Sequence, residues 1–175
     1  MIEEAMYGDS KVYLKFIPAE EYNKMKNVIA SSVHGFPIKD DEILFTVNHR
    51  GIDIIGGHIE KGESPEMALI RESAEEASIR PISFKLIGAI EVDNRDNPNA
   101  IAQGYPEKGY QLFYAITTFD TYKFEATHEC TERRYIKASD VAQTHHKWLN
   151  THEQVFEKMK TMVNLKPKIK SKYNS

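Results

Sequence analysis

Apolar and polar residues alternate in several short runs of the chain, and this pattern predicts β-strands. With a period of two, successive side chains lie on opposite faces of a sheet. A Gly-Phe-Pro sequence followed by two aspartates, within residues 35–41, predicts a turn between the second and third runs. The predicted strands cover residues 11–17, 28–33, 42–47, 52–55, 82–92 and 110–119.

A helical pattern begins after the fourth run. Ser64 is a suitable N-cap, and Pro65 fits the first helical position. The Arg80-Pro81 pair predicts the end of the helix, because the residue before a proline is disfavoured in the helical region. The apolar stripe expected to dock this helix on the sheet consists of Met67, Ile70, Ala74 and Ala77.

The rest of the chain predicts a second helix, a long loop and a tail. The helix covers residues 147–163, and its apolar side contains Trp148, Val155, Phe156, Met159 and Val163. Residues 93–109 are polar and too many for a simple hairpin, and loops of this length are often functional or disordered. Lysines alternate around a proline in residues 166–175, which predicts a basic, flexible tail. We therefore expect one domain over residues 1–165.

Composition agrees with a single globular domain. The chain has 175 residues, of which 41% are hydrophobic and 28% charged. The net charge of −3 gives no overall attraction to nucleic acid or membrane. No apolar run reaches transmembrane length, and the acidic start lacks the pattern of a secretory signal. The single cysteine, Cys130, fits a reducing compartment. These features predict a cytoplasmic protein.

Three glutamates of the first predicted helix have unusual spacing. Glu72, Glu75 and Glu76 stand at positions i, i+3 and i+4, so their carboxylates share one helical face. Like charges at this spacing repel each other. A divalent cation removes the repulsion, and Mg²⁺ and Mn²⁺ prefer oxygen ligands. The spacing therefore predicts a Mg²⁺ or Mn²⁺ site.

The surrounding segment, residues 57–79, resembles the Nudix box, G-x5-E-x7-R-E-U-x-E-E-x-G-U, in which U is aliphatic. The residues in register are Gly57, Glu63, Arg71, Glu72, Glu75, Glu76 and Ile79. Ser73 stands where an aliphatic residue is usual, and Ser78 where a glycine is usual. Residues 53–57 also lack the Pro-Gly-Gly run that many relatives carry.

The resemblance implies an α/β fold, specifically the Nudix α/β/α sandwich with a mixed β-sheet. It also implies that Glu72, Glu75 and Glu76 bind the metal, with Gly56 contributing its carbonyl. Residues 129–141 resemble a Nudix pattern in which an acidic residue precedes a strand and a short helix. This match makes Glu129 a further metal ligand.

The same resemblance implies roles in catalysis. One of the box glutamates, or Glu129, is expected to act as the general base toward water. Arg71 is expected to organise the site by pairing with Glu63. The pattern leaves open which glutamate is the base.

Five further residues are candidates for substrate binding. His49 and Arg50 precede the box and are able to contact phosphates, although such a pair is more often a polar turn. His58 follows Gly57 directly, and a surface role is equally plausible. Tyr105 and Tyr110 offer rings for stacking on a base, but strand aromatics more often belong to the core.

The favoured function is metal-dependent hydrolysis of a phosphoanhydride in a nucleoside diphosphate linked to another group. The leading substrate prediction is a nucleoside triphosphate, which makes the chain a MutT-like pyrophosphohydrolase. Two alternatives stay open, namely a nucleotide-sensing Nudix module with weak turnover and an RNA 5′-end pyrophosphohydrolase. The expected partner is a small nucleotide, with nucleic acid disfavoured, no membrane, and a homodimer compatible with the family.

Overall fold

The computed structural model describes residues 1–165 and contains one mixed β-sheet with helices on both faces. Its strands are β1 (Glu3–Tyr7), β2 (Ser10–Pro18), β3 (Ala30–Lys39), β4 (Glu42–Asn48), β5 (Gly51–Asp53), β6 (Ile55–His58), β7 (Ile79–Asp93), β8 (Lys108–Thr121) and β9 (Glu132–Lys137). Its helices are α1 (Ala19–Tyr22), α2 (Pro65–Ala77), α3 (Pro98–Ala102), α4 (Val141–Thr144) and α5 (Asn150–Met162), with a 3₁₀ turn at Ala138–Asp140.

The strand order is β1-β2-β7-β8-β3-β4-β5, with β6 paired to β3 and β9 paired to β4. β3 and β8 run parallel, whereas the other pairs of neighbours are antiparallel. The prediction of a mixed sheet is therefore confirmed. β6 is short, and it lies between β3 and the carboxylates of α2, which makes it the element that positions the site.

Alternate residues of the central strands enter two different cores. Ala89 of β7 and Leu112 of β8 pack on the side of α2, while Ile90 and Phe113 pack on the side of α5. This alternation follows from the period of two of an extended chain. The sheet thus separates α1 and α2 from α5, and the expected α/β/α sandwich is confirmed.

The predicted docking stripe of α2 is wrong, apart from Ala77. Met67 is 59% exposed, Ile70 is 37% exposed and Ala74 is also exposed. The buried residues of the helix are Ala68, Leu69, Ser73 and Ala77. The helix is rotated relative to the prediction because Glu72 and Glu76 must face β6, which turns the neighbouring Leu69 and Ser73 toward the sheet.

Ser73 consequently lies in the docking face of α2. Its side chain is fully buried, and its Oγ has no hydrogen-bond partner among residues 1–165. A buried polar group without a partner loses its hydration and gains nothing in return. The departure from an aliphatic residue at this position therefore weakens the contact between helix and sheet.

The helix also ends earlier than predicted. Its last residue is Ala77, and Ser78 adopts a left-handed conformation with φ of 52°. Arg133 of β9 stabilises this end by donating hydrogen bonds to the carbonyls of Ala77 (2.8 Å) and Ser78 (3.2 Å). The prediction placed the stop at Arg80-Pro81, but both residues belong to β7. Serine thus takes the place of the usual glycine, and a cation from another strand supports the turn.

The turn predicted around Gly-Phe-Pro is also wrong, because β3 continues through Gly35, Phe36 and Pro37. Pro37 pairs with Ile116 of β8, and the chain reverses only at Asp40 and Asp41. The partners of β3 explain this continuity, because β8 pairs with the strand as far as Pro37 and β4 pairs with it from Ile38 onward.

The predicted strands 11–17, 42–47, 82–92 and 110–119 and the helix at 147–163 are confirmed to within a few residues. The predicted strand 52–55 is divided between β5 and β6, and β1 and α1 were not predicted. The long loop at 93–109 is ordered and contains α3. The predicted tail at 166–175 lies outside the described residues. Over residues 1–165, no helix has the length and apolar character needed to cross a membrane.

α5 contains a histidine, His152, on the side of the helix that faces the sheet. Burial lowers the pKa of His152 to about 4, and the neighbouring imidazoles of His145 and His34 contribute to the same shift. The Nδ1 atom of His152 accepts a hydrogen bond from the backbone N–H of Leu149 at 3.3 Å. The folded chain therefore holds this ring in its neutral form at neutral pH.

We expect Ser73→Ala to stabilise the protein by about 1 kcal/mol, because it removes a buried hydroxyl that lacks a partner. Urea unfolding of both proteins measures this difference. Ala74→Ser, on the exposed side of the same helix, serves as the control and should lower stability by only about 0.5 kcal/mol. A loss of stability in Ser73→Ala would contradict the assignment.

We also expect His152 to make the protein sensitive to acid. A histidine pKa lowered on folding contributes stability that is present above about pH 6.5 and is lost as the pH falls toward 4. Between about pH 7.5 and pH 5, this residue should cost the parent roughly 2 kcal/mol of unfolding free energy relative to His152→Asn. Urea unfolding of both proteins across this range measures the difference, and parallel curves would refute it.

Candidate active site

Arg71 organises the carboxylates around α2. Its Nε and Nη2 atoms donate to the two oxygens of Glu63 at 2.8 and 2.9 Å, which makes a bidentate pair. Its Nη1 atom donates to Glu72 at 2.8 Å and to Glu75 at 3.4 Å. Nη2 also donates to the carbonyl of His58 at 3.0 Å, which joins the helix to β6. Arg71 lowers the pKa of Glu63 to about 2.

Glu76 has no such cationic partner among residues 1–165. One of its carboxylate oxygens accepts a hydrogen bond from the backbone N–H of Gly56 at 2.9 Å. Burial raises the pKa of Glu76 to about 7, and the negative charges of Glu72, Asp53 and Glu129 add to the increase. Burial also raises the pKa of Glu72, although Arg71 opposes that shift. The site thus concentrates negative charge that the protein itself leaves uncompensated.

Two consecutive glycines allow β6 to approach this cluster. A Cβ atom on Gly57 would lie 2.4 Å from Oε1 of Glu72, and one on Gly56 would lie 2.1 Å from the carbonyl oxygen of Val33. Both distances are shorter than any real Cβ contact. Gly57 therefore lets the backbone lie directly against Glu72, and Gly56 lets β6 lie close to β3.

The carboxylates of Glu72, Glu75 and Glu76 fit a hard divalent cation. They are oxygen donors of the kind that Mg²⁺ and Mn²⁺ prefer. Burial and the neighbouring carboxylates both disfavour the charged form of Glu76, and a cation at this position would offset both effects. Gly56 lies in hydrogen-bond contact with Glu76 through its N–H, and the predicted role of its carbonyl as a ligand stays a prediction.

Glu129 lies on the loop that precedes β9 and is exposed. Its charge contributes to the raised pKa of Glu76, which places the two carboxylates in the same electrostatic neighbourhood. Cys130, the next residue, is buried as a small apolar side chain. The structure therefore brings Glu129 toward the box glutamates, and its role as a ligand or base stays a prediction.

Two cavities lie beside the segment that contains β6, and they share Tyr7, Gly8 and Gln111. The first, of about 340 Å³, we call the histidine cavity, and it is lined by Met6, Tyr7, Gly8, His34, Arg50, Asp53, Ile54, Gln111, Phe113, His145, His146, Lys147, Leu149 and His152. The second, of about 510 Å³, we call the amide cavity, and its walls include Ser31, Ser32, His58, Asn94, Asn97, Asn99, Gln103 and Tyr105.

The five residues predicted to bind substrate lie at different places relative to the two cavities. His49 is exposed in the turn between β4 and β5, and neighbouring Arg50 lines the histidine cavity. His58 and Tyr105 line the amide cavity with their ring centroids 5.9 Å apart. Tyr110 is buried on the α2 side of the sheet, where its hydroxyl donates to Glu91 at 2.9 Å. The structure thus brings three of the five to the cavities.

Asp53 is the main residue of the histidine cavity that sequence reasoning missed. Its carboxylate accepts hydrogen bonds from Asn48 (3.1 Å), Arg50 (2.9 Å), the N–H of Ile54 (2.9 Å) and His145 (3.2 Å). Burial opposes ionisation, but the hydrogen bonds from His145 and Asn48 hold the pKa of Asp53 well below its usual range. The one sequence signal for this network was the consecutive pair His145-His146.

Asp53, His145 and His146 also have atoms close enough to share a metal ion. The hydrogen bonds favour a different interpretation. Nδ1 of His145 accepts from the backbone N–H of Lys147 at 3.0 Å, so the proton of the neutral ring is on Nε2, which donates to Asp53. A metal needs that nitrogen without its proton. The cluster is therefore a hydrogen-bonded wall of the cavity.

Comparisons with solved structures agree with this fold. The chain is similar to the pyrophosphohydrolase BsRppH (E68A mutant) of Bacillus subtilis, with a TM-score of 0.64, 17% identity, and coverage of 94% of this chain and 99% of that chain. It is similar to a MutT structure from work on Aliivibrio salmonicida and Vibrio cholerae, with a TM-score of 0.54, 22% identity, and coverage of 75% and 97%.

A third similar structure is the NUDIX domain of Shewanella oneidensis NrtR, complexed with ADP ribose. It has a TM-score of 0.56 and 16% identity, and the match covers 83% of this chain and 97% of that chain. At such identities the likeness establishes the fold alone. No curated protein gives a significant sequence match.

The family comparison is more specific. The model of the NUDIX domain matches residues 30–159, which is well over half of the chain. This range contains β3, β6, α2 and the whole carboxylate cluster organised by Arg71. The chain therefore belongs to the Nudix family and is a Nudix hydrolase.

Proposed function

We propose that the protein is a Mg²⁺- or Mn²⁺-dependent hydrolase of a phosphoanhydride bond in a nucleoside diphosphate linked to another group. The observation that carries this proposal is the uncompensated charge at Glu76, between Gly56 and the Arg71-paired carboxylates. A polyphosphate is itself an anion, and a bare carboxylate cluster repels it. A bound divalent ion supplies Lewis-acid stabilisation of the phosphate charge and lowers the pKa of water.

The protein's own residues provide positioning and a proton acceptor. Arg71 holds Glu63, Glu72 and β6 in one arrangement, so the carboxylates meet the substrate with little reorganisation. Glu76 accepts a hydrogen bond from the backbone N–H of Gly56, and a carboxylate beside metal-activated water is suited to accept its proton. We assign Glu76 as the first candidate for the general base, with Glu129 as the second.

The histidine cavity is suited to the base of the nucleoside end. Its walls contain flat rings, including His34 stacked on Phe113 at a centroid distance of 4.8 Å and His145 stacked on His146 at 4.8 Å. Aromatic faces bind nucleobases through stacking. Arg50 and Lys147 at the same cavity supply positive charge near a phosphate.

Two alternatives from the sequence stay open. The unpartnered hydroxyl of Ser73 weakens the docking of α2, which is compatible with a sensing module of low turnover. RNA 5′-end hydrolysis is the second, and the likeness to the Bacillus subtilis pyrophosphohydrolase adds nothing to it, because at 17% identity that likeness shows the fold alone. Metal-dependent turnover excludes the first, and a preference for free nucleotides over triphosphorylated RNA excludes the second.

We expect Glu76→Gln to lower kcat by about 10² to 10⁴-fold, because the amide neither accepts a proton nor carries charge toward the cation. Phosphate and pyrophosphate release from a nucleotide panel with Mg²⁺, with Mn²⁺ and with chelator measures the effect. Glu66→Gln, on the same helix but outside the carboxylate cluster, is the matched control and should retain activity. Equal activity in Glu76→Gln and the parent would contradict the site.

We expect Gly57→Ala to fold normally but to lose activity. The three atoms nearest to its Cβ would all belong to the carboxylate of Glu72, at the end of a flexible side chain that is able to move away. Displacing a catalytic group by about 1 Å costs on the order of 10²-fold in rate. The test compares kcat with the unfolding midpoint in urea. Unchanged kcat would show that the position of Glu72 is unimportant, and a large loss of stability would show that the backbone itself is strained.

A further inference from the structure

The amide cavity differs chemically from the histidine cavity beside it. Among the described residues, its walls combine side-chain amides, hydroxyls and aromatic rings with apolar side chains, and they include no lysine or arginine. The carboxylate among them is Asp9, which is exposed and negative. The histidine cavity, by contrast, contains Lys147 and also Arg50, which pairs with Asp53 at 2.9 Å. A phosphate would therefore meet a cation in the histidine cavity and none among the described residues of the amide cavity.

The cations nearest to the amide cavity along its loop are already paired. Arg95 donates to Asp93 at 2.9 Å, and the Nζ atom of Lys108 lies 3.6 Å from Glu91 and 3.9 Å from Asp93. These ion pairs offset the positive charge of both side chains on that side of the cavity. A neutral group with several hydroxyls or ring nitrogens suits such walls, because amides and hydroxyls both donate and accept hydrogen bonds.

The position of the carboxylates relates the two cavities to one reaction. Ile54, just before β6, lines the histidine cavity, and His58, the last residue of β6, lines the amide cavity. Between them, Gly56 donates to Glu76, and Gly57 lies against Glu72. β6 thus runs from one cavity to the other, and its two glycines contact the carboxylates on the way.

The wall shared by the cavities has free hydrogen-bonding capacity. The side-chain amide of Gln111 is partly buried, and it makes no hydrogen bond within residues 1–165. Tyr7 lies on the same wall, where the ammonium group of Lys147 lies 4.8 Å from its ring centroid. Lys147 also donates to the carbonyl of Met6 at 2.8 Å, which fastens the tip of the β1–β2 hairpin beside the cavities.

The amide cavity is preformed, although a long loop builds one side of it. Asn94 donates to the carbonyl of Pro106 at 3.0 Å, and its backbone N–H donates to Glu107 at 2.7 Å. Asn97 caps α3 by accepting from the N–H of Ala100 at 3.1 Å. Asn94 and Asn97 are both buried. A ligand therefore gains contacts here without ordering the loop first.

We propose that the amide cavity binds a neutral, ribose-containing group at the second end of the substrate. The preferred substrate class is then a nucleoside diphosphate or polyphosphate that carries a ribosyl or second nucleoside group, and not a nucleoside triphosphate. This inference rests on the proposed hydrolase function and refines it. The volume of the amide cavity, about 510 Å³, lies within the range of small-ligand sites, which is about 300–1,000 Å³.

The test compares ATP, ADP-ribose and diadenosine tetraphosphate as substrates of the full chain with Mg²⁺ or Mn²⁺. The parent should give a kcat/KM for the better two-ended substrate at least about tenfold above that for ATP. Ala100→Phe fills the amide cavity and should raise KM for that substrate by about tenfold, with KM for ATP unchanged. Ala102→Phe, exposed on the same helix and outside the cavity, is the matched control.

A second measurement is independent of turnover and of the bulky variant. Calorimetric binding of ADP-ribose and ATP in Ca²⁺ should show tighter binding of ADP-ribose, which weakens in Ala100→Phe and in Gln103→Ala but not in Ala102→Phe. Gln103→Ala removes one amide from the wall without adding volume, so it decides the question if Ala100→Phe does not fold.

The outcomes separate the two proposals. No metal-dependent hydrolysis of any compound overturns the proposed enzyme, while binding still decides the role of the cavity. Preference for ATP, or an equal effect of Ala100→Phe on all three compounds, overturns the cavity assignment and leaves the hydrolase standing. The relative effects on ADP-ribose and diadenosine tetraphosphate distinguish a ribosyl group from a second nucleoside.

Discussion

Repulsion among the carboxylates of α2 governs how this helix, Arg71 and β6 are arranged. Arg71 compensates it only in part, because its guanidinium pairs with Glu63, Glu72 and Glu75 and leaves Glu76 to a backbone N–H. Burial, together with this remaining negative charge, raises the pKa of Glu76. The same guanidinium reaches the carbonyl of His58, so one side chain holds both the charge distribution of the cluster and the position of β6.

The sheet converts this local arrangement into a site with two ends. β6 is short and contains two glycines, so its backbone lies close to the carboxylates. Ile54, just before β6, lines the histidine cavity, and His58, its last residue, lines the amide cavity. Pairing of β3 with both β6 and β8 places Ser32, His34 and Gln111 beside these cavities. The cavity walls thus come from strands distant in sequence, and their different charges follow from the loops that close each side.

One departure from the family pattern is compensated by contacts that only the folded chain reveals. Ser78 adopts the left-handed conformation that glycine usually supplies, and Arg133 of a distant strand binds the carbonyls at that turn. Ser73 has no comparable compensation within the described residues. The docking stripe of α2 was predicted wrongly because hydrophobicity alone favoured Met67 and Ile70, whereas the contacts of Glu72 and Glu76 with β6 determine how the helix is rotated.

The sequence by itself determined the family, the carboxylate helix with its Ser64 cap and most strands, because these depend on local spacing and on alternation along the chain. It did not reveal Asp53, the four histidines around one cavity, or the neutral walls of the other. Those features combine the β1–β2 hairpin, the 93–109 loop and the segment before α5, which meet only through tertiary packing. The difference in charge between the walls of the two cavities is therefore a property of the folded sheet. No local sequence pattern indicates which distant residues line the same cavity.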